Sequence, residues 1–259
     1  MQNQSVTLYS RKELHQVALT DEIVPFYQPI IDTRTNSMVG LEVLLRWHQP
    51  DGNEIPPDRF IPVFTHCGLI NHLTQSLLRK VLADFNNINF YTQPFDLHIN
   101  FSALHIQGDE FVHDCLTFLA ASKMHNFSLV VEITEADLIT NMHFFKINMN
   151  RLRVAGVRFY IDDFGTGYAN LNLLSELKVY GLKIDRTFTQ RISSDPLSAL
   201  IVQNIINIAT YCNIEVIAEE IEENHQMHSL KELNIFFQQG FLFSKPVNID
   251  GLVPLLRKC

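Results

Sequence analysis

Glu42, Asn100, Glu132, Asp162, Asp163, Lys183 and Glu219 each stand in or just after a short apolar run, and Gln239 follows the last one. In a parallel α/β barrel the active site lies at the carboxyl ends of the strands, so residues that end such runs are the ones to test for chemistry. Taken singly, each is a strand-end group that meets solvent or caps the next helix. Their recurrence on seven runs changes that reading, because they would converge on one rim. Carboxylates brought together away from water repel one another, and such a cluster needs cations. The oxygen-only set Glu42, Asn100, Glu132, Asp162 and Asp163 selects hard ions such as Mg²⁺ or Mn²⁺ over Zn²⁺. The adjacent pair Asp162-Asp163 would let one carboxylate bridge two ions, which is the arrangement of two-metal phosphoryl hydrolysis.

The runs that must position these groups number eight: Ile23 to Ile31, Met38 to Trp47, Phe95 to Phe101, Leu129 to Ile133, Val157 to Ile161, Tyr180 to Ile184, Glu215 to Ala218 and Ile235 to Phe237. Segments of helical period separate most of them, for example Leu73, Leu77, Leu78 and Val81, then Leu197, Ile201, Ile205 and Ile208. Only Asp32 to Asn36 divides the first two runs, which is hairpin length and implies one antiparallel strand. The expected fold is α/β, a modified TIM (β/α)8 barrel with one antiparallel strand, over residues 22–259. Ser10 and Glu13 have capping-box spacing ahead of Leu14, Val17 and Ala18, so residues 10–19 are predicted as a short leading helix in an N-terminal appendage, 1–21. No Ser/Gly-rich or Pro-rich linker marks a second domain.

Composition bounds the partners. The 259 residues are 46% hydrophobic, enough for one large core, and 20 basic against 28 acidic residues leave a net charge of −8. That balance supplies no basic track for duplex nucleic acid. No apolar run is long enough to span a bilayer and residues 1–10 are polar rather than signal-like, so a soluble, cytoplasmic chain is expected. Cys67, Cys115, Cys212 and Cys259 show no ligand spacing and are expected to be buried free thiols of a reducing compartment. The 11 histidines contain no HExxH, and the pair His225 and His228 is expected to face solvent. The 19 phenylalanines are assigned to packing, since a base-stacking platform would interleave basic residues.

Longer motifs run through the chain in order. They are Gln28-Pro29-Ile30, Gly40-Leu41-Glu42-Val43-Leu44-Leu45-Arg46-Trp47, Asn100-Phe101-Ser102, Glu132-Ile133-Thr134-Glu135, Asp162-Asp163-Phe164-Gly165-Thr166-Gly167-Tyr168, Leu182-Lys183-Ile184-Asp185, Ala218-Glu219-Glu220-Ile221-Glu222, and Gln239-Gly240-Phe241 running to Ser244-Lys245-Pro246. In this order and over nearly the whole chain from Ile23, they resemble the EAL-domain cyclic di-GMP phosphodiesterases. The resemblance implies that Glu42, Asn100, Glu132 and Asp162 hold one metal ion, and that Asp162 and Asp163 help hold a second. It implies that Lys183 orients the attacking water and meets charge developing on phosphate, with Glu219 as proton acceptor or as the partner of Lys183. Glu222 and Gln239 would complete the shell around the second metal, Arg46 would reach a substrate phosphate, and Gln28 the nucleotide portion. The reaction would open cyclic di-GMP to linear pGpG with two Mg²⁺ or Mn²⁺ ions. It further implies a homodimer formed near the loop 164–171, with Glu135 anchoring that loop as a switch, and leaves room for an upstream sensor domain.

Four departures accompany the resemblance. Val43 replaces the name-giving Ala, Glu220 the glycine usual after Glu219, Phe64-Thr65 an Ala-Glu pair, and Ala169-Asn170 two serines. If position 220 needs a positive φ, a non-glycine residue there costs on the order of 1 kcal/mol, and an extra carboxylate would disfavour an anionic substrate. The competing reading is a degenerate domain of the same fold that binds cyclic di-GMP or a protein partner without hydrolysis. Retention of every metal-ligand position and of Lys183 favours the enzyme. A sugar-metabolising barrel with a single Mg²⁺ leaves the paired aspartates and the motif order unexplained.

Overall fold

The apolar runs on either side of Asp32–Asn36 fold as a hairpin in the computed structural model, which describes residues 9–86, 93–124, 126–134, 139–165 and 171–256. Strand β1 (Ile23–Asp32) pairs antiparallel with β2 (Ser37–His48) from Ile23↔Trp47 to Asp32↔Ser37, and Asn36 takes the left-handed turn position at φ 57°. The remaining strands are β3 (Glu54–Ile55), β4 (Phe95–Asn100), β5 (Phe127–Thr134), β6 (Arg158–Phe164), β7 (Gly181–Ile184), β8 (Glu215–Ala218) and β9 (Phe237–Gln239). Eight of them close a barrel in the order β1-β9-β8-β7-β6-β5-β4-β2, with β2 returning to β1, and β1 antiparallel to both neighbours. The other ring pairings are parallel. This is the modified TIM barrel expected from the sequence. The short β3 pairs outside the ring with Trp47 and His48.

Around the ring lie α1 (Arg11–Leu19), α2 (Pro57–His66), α3 (Ile70–Asn86), α4 (Ala103–Ile106), α5 (Asp109–Ala121), α6 (Met142–Val154), α7 (Leu171–Leu177), α8 (Arg186–Thr189), α9 (Pro196–Cys212), α10 (Asn224–Glu232) and α11 (Ile249–Leu256). The Ser10 and Glu13 side chains form both bonds of the capping box of α1. Leu14, Val17 and Ala18 then pack with Trp47, Phe60 and Phe64 in a cluster separate from the main core. Helix α3 buries Leu73, Leu77, Leu78 and Val81 as its period implied. Helix α9 follows its predicted stripe except at its start: Ile205 is buried, and Ile201 and Ile208 pack partly buried against the core. It also buries Ser198, Val202 and Ala209, and leaves Leu197 in its first turn 61% exposed.

Alternation along the strands separates two environments. On β5, Leu129, Val131 and Ile133 join the core between barrel and helices. Val130 belongs instead to the interior cluster with Ile30, Tyr160 and Ile217, and Glu132 shares its parity. On β4 the same parity puts His98 and Asn100 inside while Ile99 packs outward. Among the described residues no helix is long and apolar enough to cross a membrane.

Smaller expectations divide. His225 and His228 are exposed, and phenylalanines such as Phe60, Phe111, Phe118 and Phe145 are buried packing residues. Cys67, Cys115 and Cys212 are free thiols, but only Cys115 of these is buried; Cys212 is exposed where α9 ends. The last strand begins two residues later than its apolar run, at Phe237, because Ile235 closes the exit from α10 with a bond from its amide to the Leu230 carbonyl. Gln239 is therefore the last residue of β9 rather than a residue after it.

Candidate metal centre and active site

A single buried ammonium organises the rim. Lys183 on β7 has no solvent exposure, and its Nζ lies 2.5 Å from Glu219, 3.0 Å from Glu132, 3.1 Å from Glu42 and 3.7 Å from Asp162. Those carboxylates come from the end of β8, from β5, from β2 and from β6. Amides and a histidine complete the network. Asn100 Nδ2 donates to Glu42 Oε1 at 2.8 Å, Gln239 Nε2 donates to Glu42 Oε2 at 2.6 Å and to Gln28 Oε1 at 3.0 Å, and Gln28 Nε2 donates to the Ser244 carbonyl at 3.0 Å. His98 Nδ1 lies 2.7 Å from Glu132 Oε1.

Asp162 and Asp163 are consecutive on β6, so strict strand alternation would send one of them out of the barrel. A bulge prevents this. Ile161 pairs with Leu182 but Phe164 pairs with Ile184, and the extra residue on β6 is absorbed with Asp163 at φ 53°. Aspartate is among the residues that tolerate this left-handed region. The Asp163 amide donates to Asp162 Oδ1 at 3.0 Å. Both carboxylates consequently reach the rim, and Asp162 is shared by two groups whose oxygens lie within 4.8 Å of one another: Glu42, Glu132 and Asp162, then Asp162, Asp163 and Glu219.

The charge balance there is unequal. Burial raises the Glu132 and Asp162 carboxyls above their ordinary range although Lys183 opposes it. Burial likewise raises Glu219, with the charge of Asp162 adding to it. Asp163 is pushed up to about 6 by burial and then by the neighbouring charges of Asp162 and Asp185. For Lys183 burial alone would favour the neutral amine, but the surrounding carboxylates outweigh it and hold the ammonium well above its ordinary value. One cation does not neutralise this many carboxylates, so divalent ions fit the donor set. The buried Gln239 Oε1 has no hydrogen-bond partner and is a further acceptor left over for a bound group.

Above the cluster opens a cavity of about 440 Å³ lined by Gln28, Glu42, Arg46, Glu219, Gln239 and Phe241 among others. Arg46 pairs with Glu54 at 3.5 Å on its wall. Glu222 also lines the cavity, exposed and outside both carboxylate groups. Phe64 is buried against Trp47 and Phe60, and Thr65 bonds the Ile61 carbonyl of its own helix, so neither lines this cavity. Glu220 adopts φ 51°, the left-handed conformation in which glycine is favoured. Glu135 and residues 166–170 lie outside the described residues. A larger cavity of about 560 Å³ opens at the opposite, amino end of the strands, but its polar groups satisfy one another: Arg158 with Asp96 at 2.7 Å and Tyr160 with Glu215 at 2.8 Å.

The sequence reading did not single out His98 or Arg186, and it gave Asp185 a place in a motif but no role. For His98 a signal existed, since it precedes Asn100 by two residues on one strand and so shares its face. Glu219, read only as a base or as the partner of Lys183, also falls in the second carboxylate group.

The EAL domain family model matches residues 11–246. The probable cyclic di-GMP phosphodiesterase PdeG of Escherichia coli (strain K12) is 39% identical over 236 residues, which are 91% of this chain and 46% of that protein, so the chain spans about half of that relative's length. The solved structure of the EAL enzyme Bd1971 in its cAMP- and cyclic-di-GMP-bound form has a TM-score of 0.87 at 30% identity, covering 95% of this chain and 68% of the other. The manganese and cyclic di-GMP complex of Klebsiella pneumoniae BlrP1 has a TM-score of 0.75 at 25% identity, covering 88% and 56%. With a family match over nearly the whole barrel, on a rim that carries overlapping carboxylate groups around a buried lysine, the chain belongs to the EAL domain family.

Proposed function

We propose that this chain is a metal-dependent phosphodiesterase that hydrolyses cyclic di-GMP to linear pGpG. The observation that carries the reading is the pair of carboxylate groups sharing Asp162 beside Lys183, of which Glu42 and Glu219 line the 440 Å³ cavity. Glu42, Asn100, Glu132 and Asp162 would hold one Mg²⁺ or Mn²⁺ ion, and Asp162 with Asp163 a second, with Glu222 and Gln239 in the surrounding hydrogen-bond shell. Two such ions, when bound, supply Lewis-acid stabilisation of phosphate charge and an activated water. The protein's own groups do the rest. Lys183 is held in place by four carboxylates, where it orients the attacking water and offsets charge developing on phosphorus oxygens. Glu219, 2.5 Å from Lys183, accepts the water's proton. One P–O ester bond breaks as the water–phosphorus bond forms, giving a terminal phosphate and a leaving oxygen that takes up a proton from solvent to become a free hydroxyl, while Glu219 returns its proton to solvent. Arg46 meets a phosphate of the ligand, and Gln28, tied to Gln239 and Ser244, holds its nucleotide portion.

The same reading includes a homodimer with an interface near residues 164–171 and α7, Glu135 as the loop switch, a cytoplasmic setting and an upstream sensory partner. It is supported by the motif resemblance. Incubating the protein with cyclic di-GMP and Mg²⁺ or Mn²⁺ should yield pGpG, with activity lost in excess chelator and suppressed when Ca²⁺ replaces the ion, since calcium prefers longer bonds and higher coordination. Binding without product would instead identify a receptor, and GMP as the main early product would overturn the substrate assignment.

A further inference from the structure

Six of the residues that line the 440 Å³ cavity are charged: Glu42, Glu219, Glu220 and Glu222 against Arg46 and Arg186. An anionic ligand entering it meets more negative than positive charge, and Arg186 is itself engaged. It opens α8, three residues after Lys183, and its Nη1 lies 3.5 Å from Glu220 Oε2. Glu220 is held in that place by its backbone. The Glu219 amide bonds the Ile184 carbonyl at 3.3 Å, and Thr189 Oγ1 donates to the Glu219 carbonyl at 2.7 Å, which ties the chain just before Glu220 to β7 and α8. The φ of 51° at Glu220 is one that glycine adopts without strain and glutamate does not. A side chain kept in an unfavourable conformation, at a cavity mouth, over the arginine of an adjacent element calls for an account.

We infer that Arg186 is a phosphate-binding residue of this cavity and that Glu220 competes with the ligand for it. The inference rests on the proposed binding of cyclic di-GMP at this site. With side chains 61% and 49% exposed, the Arg186–Glu220 pair is of the kind that solvent weakens most, so a phosphate can displace the carboxylate. Arginine also matches phosphate geometry with two parallel hydrogen bonds, which the single 3.5 Å contact to Glu220 does not provide. Glu220 therefore sets affinity: it lowers occupancy at low ligand concentration without occluding the carboxylate cluster beneath.

The test is calorimetric binding of cyclic di-GMP in Ca²⁺, which needs no turnover, alongside KM in Mg²⁺. Glu220→Gln should tighten Kd about fivefold by removing one negative charge several ångströms from a phosphate, and KM should fall in parallel. Glu220→Gly should give a similar gain, because the effect is charge and not backbone strain. Arg186→Ala should weaken binding about tenfold, and in that background Glu220→Gln should recover little, the non-additivity expected of two residues acting on one group. Unchanged binding by Arg186→Ala would overturn the inference, as would an equal gain from Glu220→Gln with and without Arg186, or a gain confined to Glu220→Gly. If neither the parent chain nor any variant binds, while all melt alike, the cyclic di-GMP reading itself falls and takes this one with it; binding by the parent with unaltered variants defeats the roles of Arg186 and Glu220 and leaves that reading standing.

Discussion

Lys183 and the carboxylates around it are in a balance that elementary electrostatics can perturb from either side. Replacing one partner of a buried charge cluster leaves the others uncompensated, at a cost of about 3 kcal/mol or more. Lys183→Met should therefore lower the melting temperature in excess chelator and abolish turnover. Added Mn²⁺ should restore most of the stability but none of the turnover, since the ion replaces the ammonium's charge and not its role toward water. A variant that melts with the parent chain in chelator would remove Lys183 from this balance. His98 acts on the same cluster from behind, through the 2.7 Å contact to Glu132. Groups that orient a metal ligand typically change affinity by about 10- to 100-fold, so His98→Leu should weaken Mn²⁺ binding by about tenfold at least, measured by titration of the metal-free protein. These residues were unequally legible in the sequence. Glu42, Glu132 and Asp162 stood out because the first two interrupt an apolar run and the third ends one. His98 did not, because a histidine among Leu97 and Ile99 looks like strand filling until the parity of Asn100 is applied to it.

At the scale of elements, the reversed strand was readable because Asp32–Asn36 is too short for a crossover, and the hairpin follows from that length alone. Strand β3 was not readable: two residues, Glu54–Ile55, carry no period. The four-residue helices α4 and α8 escaped for the same reason. The bulge on β6 was half visible, since paired aspartates signalled a shared site, but only the register shift shows how consecutive residues can face one way. The join between β8 and β9 is likewise a matter of backbone approach. A Cβ on Gly240 would lie 2.1 Å from the Ile221 carbonyl oxygen and 2.2 Å from its nitrogen, while the Ile221 amide bonds the Gln239 carbonyl at 3.0 Å and the Leu242 amide bonds Ile221 at 2.9 Å. No side-chain rotation relieves a clash with backbone. Gly240→Ala should cost on the order of 3 kcal/mol and move Gln239 away from its 2.6 Å bond to Glu42, so that stability and ion affinity fall together. Loss of stability with ion affinity unchanged would show that Gln239 does not depend on this approach.

The whole molecule holds its barrel with an outer core between strands and helices and a small inner one beneath the rim, and its acid limit should be set in part far from the metal centre. His105 on α4 is buried, its ring 5.0 Å from that of Phe111 and 5.9 Å from that of Phe101, with Nδ1 3.4 Å from Thr74 Oγ1 on α3 and Nε2 without a partner. Burial lowers its pKa from 6.5 to about 4. A group whose folded pKa is depressed binds more protons unfolded than folded in the interval between the two values. The folded state therefore keeps the full contribution of neutral His105 above pH 6.5 and loses it progressively as pH falls toward 4. Between pH 7 and pH 5 the loss should be about 2 kcal/mol, from the value of one pKa unit. His105→Phe places an aromatic ring among Phe101 and Phe111 with no nitrogen to protonate, so its urea-unfolding free energy should decline less over that range, by about the same amount. The rim carboxylates also titrate on acidification, but they are common to both proteins and cancel in the difference. Parallel decline of the two proteins between pH 7 and pH 5 would mean that His105 is not buried neutral in the folded chain.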